Sequence, residues 1–301
     1  MSRSRVLVVF LAALFPALIA RSAPTPQPSL IDAIGTLDYA RGRALIKVGS
    51  WVKYHMTARS EMGVTEDYTA TVLIGGEDES WGEECFWVQT TTQGAQGAPR
   101  AMATLMSSAI FDDSLPAQNF RLYQRRRVME FKDGEPVQQL LRRNSSELKN
   151  RAAPDPSLTM LVDTLGTDTL KTDQGDFVCL KVRTERGFGS TSQNADSSQY
   201  NETRTVRVTY LTPQIPVTGH ARQEIEWTIS RRTWLTGRSR ESSPMMVMDR
   251  SKGVLELVEF GTGGLEASAV PVEHRRSLAE QRAAQAPKPG APAAKPRPPT
   301  H

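Results

Sequence analysis

The chain has 301 residues, with 37 Lys and Arg against 33 Asp and Glu, four histidines and two cysteines. Its formal charge of +4 sits at the ends: residues 274 to 301 carry a net +5, Arg3 and Arg5 add two, and the middle is left at about −3. A nucleic-acid binder would need a basic field on its globular part, and this distribution does not supply one.

At the N-terminus, Arg3 and Arg5 precede an apolar run from Val6 to Ala20, with small residues at Ser22 and Ala23. The pattern predicts a secretory signal peptide over residues 1–23, cut after Ala20 or Ala23. The run is about 15 residues long and contains Pro16, short of the roughly 20 needed to span a bilayer. The expectation is a periplasmic or secreted chain with no membrane-spanning segment after cleavage. Leu30, Ile31, Ile34 and Leu37 then have helical spacing within Pro28 to Lys47.

Beyond Gly49 the period becomes two. Val52, Tyr54 and Met56 alternate with Lys53, His55 and Thr57, and Tyr68, Ala70, Val72 and Ile74 repeat the arrangement up to a predicted turn at Gly75-Gly-Glu-Asp78. Cys85 to Thr90 reads as the third strand of a meander, and Ala101 to Met106 as a weaker strand. Asn119 to Phe131 fits neither period; its Arg125-Arg-Arg127 reads as an edge-strand guard against pairing, or as an anion contact. Pro136 to Lys149 suggests a short helix, and Arg151 to Pro156 a loop.

Thr167 to Lys171 and Phe177 to Thr184 open a second meander, followed by a polar loop from Gly187 to Ser198. Val206, Val208 and Tyr210 alternate with polar residues, as do Ile225, Trp227 and Ile229. Between these strands Pro213-Gln-Ile-Pro-Val-Thr-Gly219 is predicted to reverse or bulge the chain at a sheet edge, since two prolines donate no ladder hydrogen bond. Val254 to Phe260 is a further strand, ending at Gly261-Thr-Gly-Gly264. From about Ala284 the chain is nearly all Ala, Pro, Lys and Gly and offers nothing to bury.

The domain expectation is therefore a β-rich half-barrel-like domain over 28–272 and a disordered basic tail over 273–301. The fold class is mainly β (α+β), a curved antiparallel sheet or half-barrel with one or two packed helices. No H-E-x-x-H, paired C-x-x-C or Gly-x-Ser-x-Gly occurs, and His55 and His220 read as surface residues. No catalytic residue, metal or cofactor is therefore expected. Cys85 and Cys179 either pair in an oxidising compartment or remain two separate buried thiols, and the two readings stand level.

The stretches Gly166 to Cys179, Tyr210-Leu-Thr-Pro-Gln-Ile-Pro-Val-Thr-Gly219 and Leu255-Glu-Leu-Val-Glu-Phe-Gly261, with the early Val48-Gly-Ser-Trp-Val-Lys-Tyr54, resemble uncharacterised exported bacterial β-rich proteins. Those proteins are in turn similar, more distantly, to periplasmic lipoprotein carriers of the LolA and LolB type. The resemblance implies a curved half-barrel closed by helices around an apolar cavity. Tyr210 and Thr212 depart from the Trp and Ser usual at these positions, and no ligand residue carries over.

Adaptable methionines and one apolar sheet face suggest a binder of a lipid or lipidated peptide. The candidate ligand-binding residues are Tyr54, Met56, Val72, Tyr210, Trp227, Met245, Met246 and Met248. The alternative is a structural or protein-interaction module of the envelope with no small ligand, its partner another envelope protein.

Overall fold

The structure, a computed structural model, describes residues 46–63, 65–80, 82–95, 97–108, 125–132, 135–141 and 158–285; within 125–132, 135–141 and 158–160, and at residue 285, it describes the backbone. The proposed signal peptide, the Pro28 to Lys47 helix apart from its last two residues, the Arg151 to Pro156 loop and residues 286–301 lie outside that set.

Eleven strands are described: β1 (Ser50–Ser60), β2 (Thr65–Ser80), β3 (Glu83–Gly94), β4 (Arg100–Ser107), β5 (Arg125–Lys132), β6 (Glu135–Leu141), β7 (Leu158–Thr172), β8 (Gly175–Gln193), β9 (Ser197–Leu211), β10 (His220–Leu235) and β11 (Met246–Thr262). They form one open, curved antiparallel sheet in the order β6-β5-β4-β3-β2-β1-β11-β10-β9-β8-β7. Two meanders, β1 to β6 and β7 to β11, are thus joined along β1 and β11, whose pairing runs from Ser50 opposite Thr262 to Ser60 opposite Ser251. One helix, α1 (Leu278–Gln285), follows the sheet. The mainly β fold class holds.

The register sorts side chains by face, because directly paired residues of neighbouring strands point the same way. One face is charged on β8 to β11: Arg183 bridges Asp163 at 3.3 Å and Glu185 at 2.8 Å, Arg204 meets Glu185 at 2.6 Å, and Arg222 meets Glu224 at 3.3 Å. On β1 to β4 this same face turns apolar. Leu73, Cys85, Trp87, Ala103 and Leu105 pack there against Ala267, Ala269 and Val270 of the segment that follows β11. The buried amide of Gln89 holds that segment down, its Oε1 accepting from the Ala269 N–H at 2.7 Å.

The details correct several expectations. Gly75 and Gly76 lie inside β2 at a register shift and form no turn. A Cβ on Gly76 would come within 1.8 Å of the His274 carbonyl oxygen, so glycine is needed for the post-β11 segment to cross here. Residues 273 to 285, within the span expected as tail, include the backbone that meets β2 here. Glu77 donates its backbone N–H to the Arg276 carbonyl at 3.0 Å, and its carboxylate accepts the Leu278 N–H at 2.8 Å as α1 begins. Part of the predicted Pro136 to Lys149 helix is strand β6. Arg125 to Arg127 lie on β5, one strand in from the edge.

The predicted loop from Gly187 to Ser198 is mostly hairpin, with β8 and β9 paired out to Gln193 and Ser198. Gly189 lets the Tyr200 side chain lie close against β8, since a Cβ there would come within 2.1 Å of its hydroxyl. Cys85 and Cys179 are not bridged. They stand six strand steps apart, on the order of 30 Å across the sheet, whereas a disulfide needs Cα atoms within about 7 Å.

Candidate functional site

The second face is the candidate site, and its composition follows from five cross-strand rows. The first runs Phe260–Val52–Val72–Thr90, the second Leu257–Tyr54–Ala70, and the third Val182–Thr209–Gln223–Leu255–Met56–Tyr68. The fourth runs Thr184–Arg207–Ile225–Gly253–Ala58–Glu66 and the fifth Arg186–Thr205–Trp227–Ser251–Ser60. Composition therefore grades along the strands, from apolar rows at one end to rows bordered by arginine, serine and a carboxylate at the other.

Of the expected residues, Tyr54, Met56, Val72 and Trp227 share this face, and none is more than 7 % exposed. Tyr210 does not join them. It pairs with Arg222 and Lys181, which point to the opposite face, and the Lys181 ammonium lies 5.0 Å from its ring centroid. Met246 and Met248 are exposed at the start of β11, 62 % and 44 %, where a register shift follows Val247, and Met245 precedes the strand. They lie beyond the Ile229–Asp249 pair and do not line the Trp227 row. Sequence periodicity did not separate these sets, because bulges between Ile229 and Ser230 and between His220 and Arg222 change the phase of β10 against its neighbours.

The Pro213 to Gly219 segment is not at an edge. It connects two central strands, its neck closed by the Thr212 N–H donating to the Gly219 carbonyl at 2.8 Å, and it buries Ile215 and Val217 completely. The Tyr54 hydroxyl donates to the His220 carbonyl at 2.9 Å and also hydrogen-bonds the Thr218 hydroxyl. Burial pushes the Tyr54 phenol well above its usual range. His220, expected at the surface, is fully buried next to this loop. His55, by contrast, is on the charged face as expected, 2.8 Å from Asp67.

Two polar features of the face escaped sequence reading. Asp249 is buried and accepts from the hydroxyls of Ser60 at 2.7 Å and Ser251 at 3.0 Å. Gln223, also buried, donates to the Thr209 hydroxyl at 3.0 Å. A polar residue at an inward strand position was visible in both cases, but alternation alone predicts an apolar one there.

Two cavities are described near these elements. One, of about 330 Å³, lies between the Pro213 to Gly219 loop and the adjoining ends of β1 and β11, with Phe260, Gly261 and Pro216 among its walls. The other, of about 200 Å³, lies among Lys171, Asp173, Arg222 and Glu256 on the charged face. No group of three or more His, Cys, Asp and Glu among the described residues is placed to hold a metal, and no described helix is long and apolar enough to cross a membrane.

No protein-family model matches the chain, and no curated protein matches it. Three solved structures align over most of its length. A Bacteroides fragilis protein described as exported, with a YmcC-like fold, is 11 % identical over 74 % of this chain and 100 % of its own, at a TM-score of 0.30. The Rv2717c protein of M. tuberculosis is 12 % identical over 77 % and 99 %, at 0.18. An outer membrane lipoprotein-sorting protein domain from Vibrio parahaemolyticus is 10 % identical over 72 % and 87 %, at 0.16. TM-scores this low carry no argument about function.

Proposed function

We propose that this chain is a non-enzymatic envelope protein that binds an amphiphile with an apolar chain, a lipid or a lipidated peptide, along the face of Tyr54, Met56, Val72 and Trp227. The observation that carries the reading is the grading of that face. Apolar side chains run from Phe260 and Val52 to Ile225 and Trp227, and Arg186, Ser251 and Ser60 flank Trp227 in its own row. An apolar chain with a polar end matches such a gradient, because the chain gains about 25 cal/mol for each Å² taken from water while its head stays among hydrogen-bonding groups. No step of bond making is required of these residues. Native mass spectrometry of the protein isolated from an envelope fraction tests the reading: a stoichiometric lipid adduct supports it, and bare protein counts against it.

A specific observation favours the second reading, a protein-interaction module. β7 ends the sheet and pairs with one strand, β8, among the described residues, and it exposes Leu161, Val162 and Leu165 by half or more. Such an edge offers backbone groups and apolar side chains to an extended partner segment. Bare protein in the same experiment would put this reading first.

A further inference from the structure

The excursion from β10 into β11, residues 231–248, leaves large apolar side chains in water. Leu235 is 63 % exposed, Met246 62 %, Val247 52 % and Met248 44 %. Met62 joins them at 71 %, because the Glu61 N–H donates to the Arg250 carbonyl at 2.9 Å and carries the β1 pairing one step further toward the start of β11. Single exposed aliphatic residues are ordinary, but a group of them at one end of a sheet marks a contact surface.

The same excursion is basic. It carries Arg231, Arg232, Arg238 and Arg240 against one carboxylate, Glu241, and none of the four is ion-paired with a described carboxylate. Neutral groups hold three of them. Arg231 Nε donates to the Asn201 side-chain carbonyl at 3.1 Å, the Arg232 guanidinium donates to the Arg240 carbonyl at 3.4 Å, and the Arg240 guanidinium lies 3.8 Å from the Tyr200 ring centroid. Their charge is thus positioned without being neutralised. Arginines deeper in the sheet differ: Arg183, Arg204, Arg222 and Arg250 each meet a carboxylate at 2.6 to 3.6 Å. The apolar and cationic groups also interleave. Arg231 stands directly opposite Met246, Leu235 follows on that side of β10 by alternation, and the Arg238 N–H donates to the Leu235 carbonyl at 3.0 Å.

We propose that this end of the sheet docks on an anionic bilayer surface, Leu235 and Met246 entering the interfacial layer while the four arginines meet lipid phosphates. Apolar side chains gain by leaving water, and guanidinium groups are attracted to the negative head groups and bond their phosphates, so the two contributions add. The apolar residues project from both sides of the excursion, since Met246 pairs with Arg231 and Val247 with Ser230. A fluid layer accommodates side chains pointing both ways, whereas a folded partner packs against one side. Docking here does not require that the Tyr54 face bind a ligand.

Co-sedimentation of the protein isolated from an envelope fraction tests the assignment, with vesicles of equal parts phosphatidylglycerol and phosphatidylcholine and with vesicles of phosphatidylcholine alone. Leu235, Met246 and Arg238 are exposed, so Leu235→Ser/Met246→Ser and Arg238→Gln leave the packing intact, and circular dichroism checks this. The expected result is binding that favours the anionic vesicles and falls with salt, weakened about tenfold or more by Leu235→Ser/Met246→Ser and about fivefold by Arg238→Gln. Equal binding of wild type to both kinds of vesicle overturns the proposal. Undiminished binding by either variant also overturns it and assigns the attraction to the basic residues after 274. Wild type that binds neither vesicle overturns it as well and leaves the patch to an acidic protein partner.

Discussion

The indole of Trp227 lies directly over the backbone of Gly253. A methyl group on Gly253 would sit 3.1 Å from Cζ3 of that ring, 3.2 Å from the Thr57 carbonyl oxygen and 3.3 Å from the Ala58 Cβ. The missing side chain on Gly253 is therefore what lets the Trp227 ring approach the sheet this closely and remain buried. Gly253→Ala should displace the ring by a few tenths of an ångström and destabilise by about 1–2 kcal/mol. Urea unfolding measures the cost, and a red shift of tryptophan emission reports the ring moving outward.

Tyr54 joins the centre of the sheet to the Pro213 to Gly219 loop through its hydroxyl, which is bonded to the Thr218 side chain and the His220 carbonyl. Tyr54→Phe keeps the ring and leaves both partners buried with one bond fewer. The expected loss is about 1–3 kcal/mol, read as a lower urea midpoint at unchanged slope.

Val217 has φ +67° and is fully buried, a left-handed conformation that a β-branched residue adopts only at a cost. Elsewhere glycine is less stable than alanine by about 0.5–1 kcal/mol. At this position the order should reverse: Val217→Ala loses packing and keeps the strain, while Val217→Gly loses slightly more packing and releases the strain. Thermal unfolding of the two variants side by side decides it, and a Gly variant less stable than the Ala variant would refute the strain argument.

Glu66 shares the Ile225–Gly253–Ala58 row and is half-buried, and desolvation raises its carboxyl above the usual value. A raised pKa means that the protonated form suits the fold better. Its contribution is thus fully present below the unfolded pKa and lost as pH rises through the folded one. Glu66→Gln should therefore stabilise the protein at pH 7, with the gain fading as pH falls into the carboxyl range. A gain that is constant with pH would point to packing and not to charge.

The strands themselves were legible in the sequence, because residues such as Val52, Tyr54 and Met56 alternate over runs long enough to exclude a helix. Their mutual phase was not. Tyr210 and Trp227 each alternate correctly within their own strand, yet they face opposite ways, since the pairing of Arg222 with Tyr210 follows a bulge that no local pattern announces. Gly75-Gly76 carries the composition of a turn, and only the approach of His274, almost 200 residues later, explains why these glycines are held straight in β2. His220 looked like a surface residue because the Pro213 to Gly219 segment resembles an exposed turn. Its burial follows from Ile215 and Val217, the two apolar residues inside that segment, which anchor it to the core.

The amphiphile-binding face is tested most directly by quenching with a fatty acid brominated along its chain, because bromine quenches only indoles it touches. Titrating wild type and Trp227→Phe in parallel isolates the one tryptophan on the proposed path. The expected result is saturable quenching in wild type, most of it lost in Trp227→Phe. Quenching that fails to saturate, or that is equal in both proteins, would contradict it.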